Sequence, residues 1–121
     1  MTVRPQVGAT PRTCDGGVAR AFALLGKRWN GMLLSTLADG PAGFAELTRA
    51  LPGISESVLS DRLGELARLG LVNRTVRQGP PVGVSYELTE PGAALLPVLH
   101  ALGRWAHDNL PAEDAAPASG C

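Results

Sequence analysis

Aromatic side chains and cysteine are scarce in this sequence, and each scarcity narrows the class of protein. Aromatic residues make up only 4% of the 121 residues and hydrophobic residues 45%, so the core must be built from Leu, Val and Ala. Two cysteines, Cys14 and Cys121, are too few for a disulfide framework, and in a reducing compartment we expect free thiols. The apolar runs are too short to span a bilayer, and none follows a basic start as in a signal peptide. We therefore expect a cytoplasmic protein that does not enter a membrane.

The formal net charge is zero, from 11 basic and 11 acidic residues, which argues against binding a polyanion through bulk charge. The charge is unevenly distributed, because Asp108, Glu113 and Asp114 follow Trp105 without any Arg or Lys. Residues 1–105 therefore hold 11 basic and 8 acidic groups, a net charge of +3. This excess is compatible with a nucleic-acid partner.

The sequence contains no motif with the spacing of a catalytic or metal-binding site. It has no nucleophile–base pair and no Gly-rich phosphate loop. His100 and His107 share one face of a predicted helix, but they stand two turns apart and no third ligand accompanies them. We therefore expect neither an enzyme nor a bound metal or other cofactor.

Composition predicts one folded domain between two loose ends. Residues 1–13 hold little apolar material and are predicted to form a flexible N-terminal arm, and residues 111–121 a disordered tail. The folded domain is expected at residues 14–110. Apolar residues recur with helical spacing in three segments of its first half: residues 16–26, a stretch from Trp29 that Gly40-Pro41 ends, and residues 44–51.

The segment LPGISESVLSDRLGELARLGLVNR, residues 51–74, combines a turn with a further helix. Pro52-Gly53-Ile54 interrupts the helical pattern, and Ser55 is a good N-cap because its hydroxyl can accept from the free amides that follow. Gly70 is the expected residue just past the helix end. One narrow apolar stripe is predicted for Leu59, Leu63, Leu66 and Leu69. Two helices joined by a short turn containing Gly form a helix-turn-helix.

A β-hairpin and a last helix follow this motif. Residues 71–77 and 84–88 are predicted strands, and the two prolines within residues 78–83 cannot continue the ladder between them. Thr89 is predicted to cap the last helix, which Pro97 should bend or loosen. The order of elements predicts a mostly α protein with a small β-hairpin, the winged helix-turn-helix. In DNA-binding winged helices the second helix of the motif enters the major groove.

Fragments in a fixed order along residues 14–106 carry a family resemblance: Cys14, LLGK at 24–27 with Trp29, Gly40-Pro41 with Phe44, Glu46-Leu47, LPGIS at 51–55, Leu59, Arg62-Leu63, Glu65-Leu66, GLV at 70–72 with Arg74, Pro80-Pro81, Val84, Tyr86, Leu88-Thr89, Gly92, LPVL at 96–99 and Trp105. They resemble the HxlR family of bacterial transcription regulators, winged-helix proteins related in architecture to the MarR regulators. The resemblance implies flanking N- and C-terminal dimerisation helices. It also implies a homodimer that binds a two-fold-symmetric operator in double-stranded DNA.

Three positions depart from the family pattern, in which a basic residue is usual. The chain has Gly43 before the third helix, Ser57 in the recognition helix and Gly83 in the wing. Each replacement removes a possible phosphate contact and should weaken the salt dependence of binding. Compensating positive charge is available from Arg49, Arg62, Arg74 and Arg77.

The candidate DNA-binding residues lie on the side of the fourth helix opposite the leucines and on nearby elements. Ser55, Ser57 and Ser60 are predicted to reach bases or phosphates, and Arg62 a guanine or a phosphate. The alternative is an ordinary solvated helix face, which the carboxylates of Glu56 and Asp61 favour. Outside this helix, the candidate phosphate contacts are Arg49, Arg74, Arg77 and Lys27 with its neighbour Arg28. For these residues the alternative is plain surface charge.

Cys14 is the candidate signal-sensing residue. It precedes the first helix, whose macrodipole favours the thiolate, while Asp15 disfavours it. In some members of the resembled family the matching cysteine senses oxidants or electrophiles, which implies redox sensing by a mixed or intersubunit disulfide at Cys14. The alternatives are a small residue packed at the dimer interface, and a regulator triggered by a small-molecule effector. Cys121 can act as the resolving partner or have no role.

Two functions of different class remain open from the sequence. A DNA-binding repressor or activator is favoured by Arg62, Arg74 and Arg77. A winged helix that serves as a protein-interaction module is favoured by the missing basic residues at Gly43, Ser57 and Gly83.

Overall fold

The computed structural model describes residues 12–79 and 83–112. The predicted arm and tail, except for the residues next to the domain, lie outside this part of the chain, as do Pro80-Pro81 and Cys121. The elements within it are α1 (Gly16–Leu25), α2 (Asn30–Thr36), a 3₁₀ turn (Leu37–Asp39), β1 (Ala42–Gly43), α3 (Phe44–Ala50), α4 (Glu56–Arg68), β2 (Val72–Arg77), β3 (Gly83–Leu88), α5 (Glu90–Ala94) and α6 (Leu96–Asn109). None of the described helices is long and apolar enough to cross a membrane.

The predicted helix-turn-helix is formed by α3, a turn and α4. Gly53 has a φ of +95°, a left-handed conformation that favours glycine, and it reverses the chain between the two helices. Ser55 is the N-cap of α4, as predicted, and its side-chain oxygen accepts a hydrogen bond from the Val58 amide at 3.1 Å. The turn and the cap together fix where α4 begins.

The C-terminal end of α4 is closed by a Schellman motif. Gly70 follows the helix with a φ of +78° and donates its amide to the Ala67 carbonyl at 3.0 Å. The Leu71 amide donates to the Leu66 carbonyl, also at 3.0 Å, so two carbonyls at the helix end find partners. The prediction that Gly70 follows the helix is therefore confirmed.

The core is built almost wholly from leucine, as the shortage of aromatic residues requires. Trp29, Phe44 and Tyr86 are only partly buried and pack against its edge. The buried apolar residues are Leu33, Leu34, Leu37, Leu47, Leu51, Ile54, Leu59, Leu63, Leu66 and Val72. Three of these leucines come from α4, so that helix has one side inside the core and the other outside.

The predicted stripe of four leucines on α4 is wrong at its last member. Leu59, Leu63 and Leu66 are buried, but Leu69 is 56% exposed. At 3.6 residues per turn, Leu69 lies roughly 80° around the helix from Leu59, on the flank of the stripe. It is also the C-cap residue, so the chain leaves the helix before it can be drawn inward.

The wing is a three-stranded antiparallel sheet in the order β1-β3-β2, and not the simple hairpin that was predicted. Strands β2 and β3 pair from Val72 opposite Leu88 to Arg77 opposite Gly83. Strand β1 adds two residues, with Ala42 opposite Tyr86. A two-residue strand has no alternation of apolar and polar residues to detect in the sequence. This short pairing joins the wing to the chain just before α3.

The last predicted helix is divided into α5 and α6 at Leu95. Pro97 lies in the first turn of α6, where its missing amide costs no hydrogen bond, so the predicted loosening is a complete break. Thr89 caps α5 by accepting from the Gly92 amide at 3.2 Å, and its hydroxyl donates to the Gly70 carbonyl at 2.6 Å. The start of α5 is thereby held against the end of α4.

The buried and exposed leucines of α4 should respond differently to truncation to alanine. Leu63→Ala should lower the free energy of unfolding by about 2–5 kcal/mol because it leaves a cavity in the core. Leu69→Ala, as the matched control, should change it by less than about 0.5 kcal/mol because the side chain is exposed. Urea unfolding followed by circular dichroism measures both values. A loss at Leu69 as large as that at Leu63 would contradict the assignment of Leu69 to the surface.

Candidate nucleic-acid interface

The outer side of α4 is shallow and rich in hydroxyl groups. Ser57, Ser60 and Asp61 are exposed and lie away from the buried leucines. Gly64 lies on the same side, and the nearest side-chain atom to a β-carbon placed there is Nη1 of Arg68, at 3.5 Å. Small side chains let a helix backbone approach the floor of the major groove. The predicted orientation of this face is therefore present in the protomer.

Ser55 has the predicted capping role, and its contact with DNA stays a prediction. Its Oγ accepts from the Val58 amide and lies 3.4 Å from Oγ of Ser57. A hydroxyl has a second lone pair and a rotatable hydrogen, so a cap can still donate to a phosphate oxygen. Ser57 makes no capping bond, and its exposed hydroxyl contacts only that of Ser55 among the described side chains.

The basic residues of the wing are exposed but do not share a face. Arg74 stands opposite Tyr86 and Arg77 opposite Gly83 in the β2–β3 ladder. Because side chains alternate along a strand, residues three apart project to opposite faces of the hairpin. Contact between DNA and Arg74 or Arg77 stays a prediction. Arg49 is exposed in the last turn of α3.

Lys27 and Arg62, both predicted to contact DNA, are engaged with a carboxylate of the protein itself. Nζ of Lys27 lies 2.7 Å from Oε2 of Glu65, and Nη1 of Arg62 lies 3.1 Å from Oε1 of the same side chain. The Arg62 side chain is only 22% exposed, and its Nε is buried without a hydrogen-bond partner. Arg28 lies over the Trp29 ring, 4.8 Å from the ring centroid. Contact between DNA and Lys27 or Arg62 stays a prediction.

The charge state of Glu65 follows from these neighbours. The hydrogen bond from Lys27 lowers the pKa of the Glu65 carboxyl most, the charges of Lys27 and Arg62 and the Asn30 amide lower it further, and desolvation opposes them. Glu65 is therefore ionised throughout the range above its ordinary pKa of 4.5. The ion pairs that it forms are lost only when acid protonates the carboxylate below that range.

Cys14 is an exposed free thiol immediately before α1. Its Sγ lies 3.8 Å from the Asp15 carbonyl oxygen, and Asp15 caps α1 by accepting from the Val18 amide at 2.9 Å. The side chain is thus accessible in the protomer and is not packed into its core. The possible partner Cys121 lies outside the described residues.

Helices α1 and α6 carry large apolar side chains that the protomer does not cover. Phe22 is 61% exposed on α1, and Trp105 is 53% exposed on α6. The exposed apolar residues with helical spacing on these two helices are Val18, Phe22, Val98, Leu102 and Trp105. Large apolar side chains left exposed at helical spacing are typical of a protein–protein interface. Elsewhere, residues 12–79 and 83–112 contain no cluster of three side chains able to hold a metal ion.

The sequence matches a known family over most of its length. The family described as HxlR-like helix-turn-helix matches residues 24–114. The HTH-type transcriptional regulator YodB of Bacillus subtilis (strain 168) is 48% identical over 86 residues, which covers 71% of this chain and 77% of YodB. The match confirms the predicted resemblance.

Solved structures share the fold. The reduced form of YodB from B. subtilis has a TM-score of 0.75 and 41% identity, and the match covers 84% of this chain and 100% of that chain. YodB is also known in diamide-treated and quinone-bound forms. The redox regulator HypR in its reduced form has a TM-score of 0.73 and 33% identity, with 78% of this chain and 93% of that chain covered, and HypR is also known in an oxidised form. These similarities confirm the predicted winged-helix architecture.

Substitutions at Ser55 separate its capping role from any role in binding. Ser55→Ala should lower the free energy of unfolding by about 1 kcal/mol because the cap is lost. Ser55→Asp keeps an acceptor at the helix N-terminus and should retain most of the stability. Ser57→Ala is the matched control and should leave stability within about 0.5 kcal/mol. Thermal unfolding measures all three, and equal losses at Ser55 and Ser57 would contradict the capping assignment.

Proposed function

The chain belongs to the HxlR-like helix-turn-helix family of transcriptional regulators, which are not enzymes, and from this premise we propose how it recognises DNA and what it senses. The protein works in the cytoplasm as a homodimer on an inverted-repeat operator. Oxidants or electrophiles change its DNA binding through Cys14. The proposal of operator binding rests on the position of α4. Its leucines anchor this helix in the core, and Ser57, Ser60 and Gly64 lie on its outer side.

Ser57 and Ser60 contact base edges or phosphates from the first half of α4, the part of a recognition helix that enters the groove. Ser55 donates its hydroxyl hydrogen to a phosphate while it caps the helix. Arg49, Arg74 and Arg77 neutralise phosphates on either side of the groove, and because Arg74 and Arg77 face apart, they contact different segments of the backbone. Lys27 and Arg62 are left out of this contact set because Glu65 holds them.

The apolar surface of α1 and α6 supports the homodimer. A second copy of the same chain can cover Phe22 and Trp105 with the same residues of its own, as a two-fold interface requires. A symmetric dimer presents its two copies of α4 to half-sites related by the same two-fold axis, which is why the operator is an inverted repeat.

DNA binding is favoured over a purely protein-binding winged helix. YodB of B. subtilis is named an HTH-type transcriptional regulator, and YvaP an uncharacterized HTH-type transcriptional regulator, which supports DNA binding for this chain. The missing basic residues at Gly43, Ser57 and Gly83 lower the expected affinity without removing the exposed face of α4.

Sensing through Cys14 is supported by the exposure of its thiol and by the forms in which relatives are known. YodB is known reduced, diamide-treated and quinone-bound, and HypR reduced and oxidised. An oxidant that removes two electrons and two protons from a pair of thiols joins them as a disulfide, and a quinone adds to one thiol as a thioether. Either product at Cys14 stands next to α1 and can change how the two subunits pack.

Titration of operator DNA at several salt concentrations tests the DNA contacts. Arg74→Ala and Arg77→Ala should each weaken binding about equally to all sequences and should lower the magnitude of the salt slope by about 0.9. Arg104→Ala on α6, the matched control, should leave the salt slope unchanged because that residue lies outside the helix-turn-helix and the wing. Anisotropy of a labelled duplex gives the constants. Salt-independent or absent binding by the wild type would refute the proposed function.

Oxidation tests the sensor. Diamide or a benzoquinone should change the operator affinity of the wild type by about tenfold, a coupling of ordinary size between two sites. Cys14→Ser should bind DNA like the reduced wild type and show no response. Cys121→Ser is the matched control, and an unchanged response there assigns the reaction to Cys14 alone or to a pair of Cys14 residues. A response that survives Cys14→Ser would contradict the proposal and favour a different trigger.

A further inference from the structure

The segment between α1 and α2, residues 26–29, lies against α4 and against the turn that precedes it. Lys27 reaches across to Glu65 near the end of α4 at 2.7 Å. The edge of the Trp29 ring stands 4.0 Å from the position that a β-carbon would take on Gly53, in the turn before α4. One short connection therefore meets α4 beyond its middle and the turn that precedes its start.

The same connection is tied back to α1 by a buried amide. Asn30 is fully buried, and its Nδ2 donates to the Leu24 carbonyl in the last turn of α1 at 2.9 Å. The backbone amide of Asn30 donates to the Lys27 carbonyl at 3.1 Å, which joins Asn30 to the connection. A continuous set of polar contacts thus runs from the end of α1, through Asn30 and Lys27, to Glu65 and Arg62 on α4.

We propose that Glu65 is a positioning residue: by holding Lys27 and Arg62 it fixes the angle between the dimerisation helix α1 and the recognition helix α4, and so sets the half-site spacing that the dimer accepts. This inference rests on the proposed function. Glu65 acts through its two partners and makes no contact with DNA. Glu65 pairs with one cation from the connection after α1 and with a second cation from α4 itself.

The burial of Arg62 supports a structural role, in which it holds Glu65, over direct contact with a base. The Nε atom is buried without a hydrogen-bond partner, and Nη1 forms an ion pair at 3.1 Å with Oε1 of Glu65, which itself accepts no hydrogen bond among the described residues. A side chain that reads a guanine presents its guanidinium to solvent on the outer side of the helix, where Ser57 and Gly64 lie. Arg62 instead keeps the Glu65 carboxylate turned toward Lys27.

The mechanical consequence concerns the dimer and not the single half-site. Two copies of α4 read two half-sites, and the distance and angle between them are set by whatever joins each α4 to the dimer helices. A rigid connection between α4 and the dimer helices makes the affinity for one half-site spacing much higher than the affinity for neighbouring spacings. A flexible connection lets each α4 adjust its position, so the affinity for other spacings rises relative to that for the preferred spacing.

The experiment measures spacing discrimination in the full-length protein. Selection from a random duplex library first supplies the preferred half-site. Synthetic duplexes then carry two half-sites at the preferred separation or one or two base pairs away, and affinity is measured for each. Glu65→Gln and Lys27→Met should each lower the preference for the best spacing by about two- to fivefold, the factor that an ion pair of this exposure supports. The double variant should be no worse than either single variant because both break one network.

Two control variants and one further test variant make the result specific. Glu56→Gln removes an exposed carboxylate of α4 that makes no ion pair among the described residues, and it should leave the spacing preference unchanged. Lys27→Arg keeps the cation and should restore the wild-type preference. Arg62→Met should reduce the spacing preference without changing the salt slope. A circular dichroism melt of each variant confirms that it is folded.

The outcomes separate this inference from the proposed function. Wild-type binding with a clear spacing preference that Glu65→Gln and Lys27→Met both retain would overturn the positioning role and leave the DNA-binding function intact. A salt slope lowered by about 0.9 in Arg62→Met would make Arg62 a phosphate contact and overturn its structural role as well. A wild type that binds no duplex from the library would overturn both.

Discussion

Burial of three leucines on one side of α4 is the constraint on which the rest of the structure depends. Leu59, Leu63 and Leu66 fix the rotation of the helix about its axis, because any other rotation would expose them to water. Once that rotation is fixed, Ser57, Ser60 and Gly64 must face outward and Glu65 must face the connection that follows α1. The composition of the outer face and the position of the ion network are both consequences of the same packing.

The sequence predicted those features of the fold that strong local chemistry specifies. The cap at Ser55 and the left-handed turn at Gly70 were placed correctly because a hydroxyl acceptor and a glycine are each needed at one definite position. The order of helices, turn and strands followed from apolar spacing and predicted a winged helix, and the family resemblance added the dimerisation helices. Strand β1 was missed because its two residues show no period, and Leu69 was misplaced because the leucine pattern continues past the residue at which the helix ends.

The candidate site was predictable as a surface but not as a set of contacts. Exposure of Ser57 and Ser60 follows from the spacing of the leucines, so it can be read from the chain. Sequence gave no sign that Lys27, thirty-eight residues before Glu65, would donate to it. A long-range ion pair depends on how elements pack, and a single sequence contains no direct signal for that. The pairing of Arg62 with Glu65 is local, at i,i+3 on the same helix, and the contact of Arg62 with DNA stays a prediction.

The absence of aromatic residues from the leucine core has a spectroscopic consequence. Trp29 lies against the turn of the helix-turn-helix, and Trp105 lies on the uncovered side of α6. Their fluorescence therefore reports the environment of those two positions more than the packing of the leucine core. Excitation of the native chain therefore gives, without any attached dye, one combined signal from the turn before α4 and from the uncovered side of α6.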